Sequence, residues 1–278
     1  MNIKIVITPP IICALLLITA LAISPPYSSE NCATVNGHAP DFANQRAPMV
    51  ALTFDDGPSQ HTESILDVLE QYNAKATFFV LGYRTRRNSS TIIRAADLGS
   101  EIASHTWTHE NLTHLSPAQL VETIQSTSQL IYDITGSPPP SFYRPPFGAT
   151  NNTVRYVSAQ LGYAITNWTL DTIDWRYRNP NTIYHRIMSE VEDGSIILLH
   201  DIHLSTAQAM EQVIPSLIAQ GFELVTLSEL MCYFYGELTP GRIYGRAYDD
   251  DLPLQQYGPT FDISKLSPTH TKGVQYDI

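Results

Sequence analysis

The sequence predicts an α/β fold built on a parallel β-sheet. Two observations carry this expectation. Between about residues 46 and 236, short apolar runs alternate with amphipathic segments of helical period. The chain has 278 residues, 43% hydrophobic and only 15% charged, enough for a large buried core and unlike a disordered polypeptide. Alternating strands and helices leave the sheet either open or closed into a barrel. No internal repeat is visible.

The elements follow in order. Strands are expected over 49–54, 76–80, 99–103, 141–144, 164–168, 195–199 and 222–225. In the first, Val50, Leu52 and Phe54 share one face by period-two spacing. A helix is expected over 62–72, where Ile65, Leu66 and Leu69 recur at helical spacing. Another starts at 117: Ser116 can cap it, Pro117 takes the first helical position, and Leu120, Ile124 and Ile131 follow. Further helices are expected over 179–191, 206–220 and 228–234.

The ends of the chain read differently. Lys4 precedes an uncharged run that Pro9 and Pro10 interrupt, leaving an apolar core over 11–23 in which Ala20-Leu21-Ala22 offers small residues to a signal peptidase. Residues 1–23 therefore read as a secretory signal peptide, with an uncleaved anchor as the competing reading. Residues 24–45 read as a linker and 46–236 as the main domain. From 237 to 278 periodicity is lost, and Asp249, Asp250 and Asp251 precede Pro253, Pro259 and Pro268, so a poorly ordered tail is expected. Cleavage near Ala22 would remove Cys13 and leave Cys32 and Cys232 in an oxidising compartment. Sequons stand at Asn88, Asn111, Asn151 and Asn167, the last in an apolar segment and expected to be buried. A formal net charge of −11 argues against a nucleic-acid surface.

Five segments carry chemistry. Thr53-Phe54-Asp55-Asp56-Gly57-Pro58 ends a β-run in two adjacent carboxylates, at the strand end where parallel α/β folds place their sites. Two carboxylates so close ionise together cheaply only if a cation shares them, although Asp-Gly-Pro is also ordinary turn chemistry. In Ser104-His105-Thr106-Trp107-Thr108-His109, two histidines four apart can face one metal. Arg144-Pro145-Pro146-Phe147-Gly148 is a rigid loop with an arginine at its base. Asp171-Thr172-Ile173-Asp174-Trp175 ends another strand, and Ser195–His200 is an apolar strand that ends in His200-Asp201.

In this order the segments resemble the five motifs of the polysaccharide deacetylase family, also called the NodB-homology or carbohydrate esterase 4 family, over about residues 46–235. The resemblance implies a distorted (β/α) barrel with fewer than eight strands. It implies a divalent metal, Zn²⁺ first and Co²⁺ as an alternative, held by Asp56, His105 and His109. Asp55 would be the general base and His200 the general acid, with Arg144 orienting Asp55 and Asp174 tuning His200. Trp175 and Leu198 would line a pocket for the acetyl methyl, and the backbone N–H of Phe147 would donate to the oxyanion. Phe147 stands where tyrosine is also common.

Cys32 and Cys232 bracket the domain in a way similar to the end-to-end disulfide of secreted fungal chitin deacetylases, and His200-Asp201-Ile202-His203 resembles theirs as well. The implied activity is N-deacetylation of GlcNAc units in chitin or chitooligosaccharides. Peptidoglycan deacetylation and acetylxylan esterase activity are alternatives on the same site. The implied protein is a secreted or cell-wall monomer acting on an N-acetylated polysaccharide, with no nucleic-acid partner and no stable membrane insertion after signal cleavage.

Overall fold

A computed structural model describes residues 46–245. The expected signal peptide, the linker with Cys32, and the acidic run of the tail lie outside the described residues. Nine strands form one sheet: β1 (Met49–Asp55), β2 (Thr77–Val80), β3 (Glu101–Ser104), β4 (Phe142–Tyr143), β5 (Ala164–Thr166), β6 (Leu170–Asp171), β7 (Ser195–His200), β8 (Glu223–Leu224) and β9 (Ile243–Tyr244). The order is β6-β7-β1-β2-β3-β4-β5-β9, with β8 on the N-terminal end of β1, and every pairing is parallel. Four of the nine are two-residue pairings, and β6 and β9 end the path unpaired with each other among the described residues. This is the distorted, incompletely closed β/α barrel that the resemblance implied, with nine strands where fewer than eight were expected, because short two-residue pairings such as β6 and β9 extend the sheet.

Each expected strand forms, most of them shortened. The expected helices form as Thr62–Gln71, Pro117–Thr135, Pro180–Glu190, Leu204–Ala219 and Leu227–Tyr235. Ser116 caps as expected, in a capping box with Gln119, and Pro117 opens the helix. Helices Gly82–Arg87, Ser89–Asp97, Asn152–Leu161 and the single turn Asp174–Tyr177 add to the expected set. The boundary expected at 236 falls short. Ile243 and Tyr244 are buried in β9, which pairs with β5, so the barrel reclaims part of the segment expected as tail.

Period-two alternation splits the core in two. Val50, Leu52, Phe54, Ile197 and Leu199 face the outer helices, packing with Ile65, Leu66, Leu69, Val213 and Leu217. Met49, Ala51, Phe79, Ala103, Phe142 and Ile196 face the concave side, where Leu227, Leu230 and Met231 of the last long helix join them. The same parity continues to the strand ends. Thr53 and Asp55 follow Met49 and Ala51, Leu198 and His200 follow Ile196, His105 follows Ala103, and Arg144 follows Phe142. The sequence of alternating faces thus carries four polar groups to one mouth of the barrel.

Candidate active site

Asp55 and His200 are register partners on β1 and β7, and Thr53 pairs with Leu198 one layer below. Arg144 is completely buried and organises this floor. Its Nη1 donates to Asp55 Oδ1 at 2.7 Å and to Thr53 Oγ1 at 2.8 Å, and its Nη2 donates to the Asn167 carbonyl at 2.8 Å. The guanidinium also lies 4.1 Å from the Phe79 ring centroid. A buried charge is tolerable only when paired and hydrogen-bonded, and Asp55, 2% exposed, supplies the opposite charge.

Asp56, His105 and His109 offer one ligand atom each, all within 4.8 Å of one another. Asp56 Oδ1 is 3.5 Å from His105 Nε2 and 3.3 Å from His109 Nε2, and it is a buried oxygen without a hydrogen bond among the described residues. His105 Nδ1 meets the Arg144 carbonyl at 2.7 Å, so Nδ1 carries the proton and the Nε2 lone pair faces the cluster. Burial, then the neighbouring His105, lower the pKa of His109 and favour its neutral, ligating form. Burial works against ionisation of Asp56, but the adjacent His105, His200 and His109 outweigh it and hold the carboxyl below its usual range. An orphaned carboxylate oxygen facing two imidazole nitrogens fits a divalent cation with three protein ligands and an open position.

His200 is set from behind. Asp174, with no exposed surface, accepts from His200 Nδ1 at 2.7 Å, from the His200 backbone N–H at 2.8 Å and from Thr206 Oγ1 at 2.7 Å. Burial opposes the imidazolium, yet Asp174, with Asp55 and Asp56 behind it, pushes the His200 pKa up to about 9. Nε2 is left for a ligand.

Trp175 (49% exposed) and Phe147 (66%) stand at the mouth, whereas Leu198 is buried beneath it. The Phe147 ring lies 4.6 Å from the His109 ring, and its backbone N–H has no protein acceptor among the described residues. Seven non-glycine described residues have positive φ, and five of them, Asp56, Thr106, His109, Phe147 and Ile173, lie in the motif segments. Such clustered left-handed residues mark a backbone shaped for a site.

All the expected site residues thus line this mouth or its immediate support. Sequence reasoning missed four supports: Thr53, the Asn167 carbonyl, Thr206, and Asp201. Parity alone places Thr53 beside Asp55. Asp201 is completely buried and packs on Gly57, where a Cβ would come within 2.1 Å of its Oδ2. Burial and the nearby Asp56 and Asp55 charges push the Asp201 carboxyl up to about 7. Of the sequons, Asn167 is buried as expected, while Asn111 and Asn151 cap the short helices Leu112–His114 and Asn152–Leu161.

A parallel β/α barrel with a three-ligand cluster at its C-terminal mouth, flanked by a carboxylate and a histidine that each have a buried partner, defines the class of site. The family model described as polysaccharide deacetylase matches residues 43–166. The chain is 40% identical over 189 residues to the peptidoglycan-N-acetylglucosamine deacetylase PgdA of Listeria monocytogenes, covering 68% of this chain and 39% of that relative's length. It is 33% identical over 196 residues to a chitooligosaccharide deacetylase of a Bradyrhizobium strain, covering 65% of this chain and 90% of that one. The structure of the peptidoglycan deacetylase PdaC from Bacillus subtilis superposes with a TM-score of 0.63 at 40% identity, covering 66% of this chain and 90% of that one. The chain belongs to the polysaccharide deacetylase family.

Proposed function

We propose that the protein hydrolyses the N-acetyl group of GlcNAc-type sugars within a polysaccharide, releasing acetate. One observation carries this reading: the Asp56, His105 and His109 ligand atoms converge beside two proton-transfer groups, each locked by its own buried partner. Those three residues would hold a divalent ion, Zn²⁺ by the nitrogen and oxygen character of the set. When bound, that ion supplies Lewis acidity toward the carbonyl oxygen and lowers the pKa of water.

The chain's own groups do the rest. Asp55 Oδ1 is tied to Arg144, and Oδ2, 3.7 Å from His105 Nε2, faces the ligand cluster, where it takes the proton of the attacking water. The Phe147 N–H donates to the developing oxyanion. His200 holds a proton at Nε2 for the departing amine, and Asp174 keeps the opposite nitrogen protonated. Trp175 and Leu198 offer apolar walls to the acetyl methyl.

A chitin-type strand and peptidoglycan both present N-acetylated sugars to such a site. The second reading is favoured by the names of relatives such as the Listeria protein. We read the protein as secreted, on the leader over 1–23, and as clamped by a Cys32–Cys232 disulfide. Acetate release from chitin oligomers, peptidoglycan and acetylxylan, with and without chelator, tests the proposal. Chelator-sensitive release from N-acetylated glycans is expected. Release from acetylxylan alone, or from none of the three, would refute it.

A further inference from the structure

We propose that Arg176 and Arg178 make this barrel mouth selective for a glycan that carries carboxylates. The inference rests on the deacetylase reading above and narrows its substrate.

The basic side chains of this acidic protein are unevenly matched. Arg46, Lys75, Arg94, Arg144 and Arg186 each meet at least one carboxylate within 4 Å. Arg84, Arg86, Arg87, Arg176 and Arg178 form no ion pair among the described residues. These five are not scattered. Three lie on helix Gly82–Arg87, which follows β2, and two lie in the turn that follows β6. The strand order β6-β7-β1-β2 therefore sets them on either side of β7 and β1, whose ends carry His200, Asp55 and Asp56. Three inter-strand steps of about 4.8 Å, roughly 14 Å along the curved sheet, separate the two groups.

The turn after β6 is the better defined of the two. Trp175, Arg176, Tyr177 and Arg178 are consecutive and all exposed, Trp175 by 49% and Tyr177 by 56%. Left-handed Ile173 (φ 55°) and Arg178 (φ 46°) bracket it, and Arg178 Nε donates to the Trp175 carbonyl at 3.3 Å, so the backbone of the turn is fixed. The Arg176 guanidinium lies 5.7 Å from the Tyr177 ring centroid. Arg178 is near enough to act electrostatically on His203, whose ring is 6.1 Å from that of His200.

Exposed aromatic rings suit the apolar faces of sugars, and planar guanidinium groups suit carboxylates. A turn that alternates the two beside the reacting centre fits an N-acetylated glycan with carboxylate substituents, such as a lactyl ether on a neighbouring sugar. A strand of neutral GlcNAc units would use the rings and leave the guanidiniums facing water.

The test uses the full chain loaded with Zn²⁺ and acetate release from GlcNAc–muramic acid oligosaccharides, compared with the same oligosaccharides after conversion of their carboxylates to amides. At low salt KM is expected to be about two- to tenfold lower for the carboxylate form, with kcat little changed, as for one or two exposed charge pairs. High salt should erase the difference. Arg176→Gln should raise KM for the carboxylate form only, Arg176→Lys should retain most of the preference, and Arg178→Gln should act in the same direction as Arg176→Gln. Equal KM values for the two forms in the unmodified protein, or a variant that changes both forms by one factor, would overturn the selectivity while leaving deacetylation intact. Absence of acetate release from either form would instead overturn the deacetylase reading, and this inference with it.

Discussion

Replacing Asp174 by Asn removes the charge behind His200 while keeping the shape of the side chain. The carboxylate accepts from His200 Nδ1, from the His200 N–H and from Thr206 Oγ1. An amide has one acceptor oxygen and two donors, so it cannot satisfy all three and no longer offsets burial of the imidazolium. With Asp174 the His200 pKa stands at about 9. Without it the value should fall to about 6.5 or lower, since burial then dominates. At pH 8 the imidazolium fraction would drop from about 90% to about 3%, a loss of roughly thirtyfold in the form that protonates the leaving amine.

The same shift has a stability consequence of fixed sign. The folded-state pKa lies above that of the unfolded chain, so the contribution is complete below about pH 6.5 and disappears as pH rises through about 9. The difference of about 2.5 pH units corresponds to roughly 3 kcal/mol at its fullest. Two assays check this. NMR titration of the His200 ring in the metal-free protein reads the pKa directly, and urea unfolding at a series of pH values reads the linkage. A high-pH limb of acetate release unmoved by Asp174→Asn, together with an unshifted ring titration, would refute the reasoning.

The other substitutions separate base, metal and support. Asp55→Asn is expected to lower acetate release by about 10²- to 10⁴-fold or more while circular dichroism shows the fold retained; an active variant would refute the base assignment. Asp56→Ala and His109→Gln should each abolish tight Zn²⁺ binding measured by calorimetry, since two remaining donors make a poor site. Arg144→Met leaves Asp55 buried and unpaired, so a destabilisation of about 3–5 kcal/mol is expected in denaturant titration, far beyond that of an exposed arginine.

What could be read from the sequence and what could not divide along physical lines. The strand-end residues were legible because two periodicities act together. Long apolar runs announce β1 and β7, and the residues that terminate them stand out by chemistry. The helix Pro117–Thr135 was legible because its start is encoded locally in Ser116, Pro117 and Gln119. β9 was not, because two buried residues, Ile243 and Tyr244, sit among glycine and arginine and gain their burial only from β5, far away in sequence. The helix Gly82–Arg87 escaped notice because six residues are too few to show a stripe, and Ser89–Asp97 because it starts directly at Asn88, which also ends the preceding helix, so no turn sets it apart. The supports of the site were hidden for a related reason. The Asn167 partner of Arg144 is a backbone carbonyl, which carries no residue signature, and Thr206 reaches Asp174 from a helix 32 positions on.

Parity explains why the catalytic candidates themselves were so much easier to place than their supports. On β1 the outward residues are Val50, Leu52 and Phe54, which pack on the helices, so Thr53 and Asp55 must face inward. On β7 outward Ile197 and Leu199 force Leu198 and His200 inward, and the register then sets Asp55 beside His200. A one-residue slip of either strand would turn its terminal polar group into the helix layer and bring Phe54 or Leu199 to the mouth. Burial of those apolar side chains therefore holds the polar pair in position, and the hydrophobic pattern of β1 and β7 is as much a determinant of the site as the residues that would carry the chemistry.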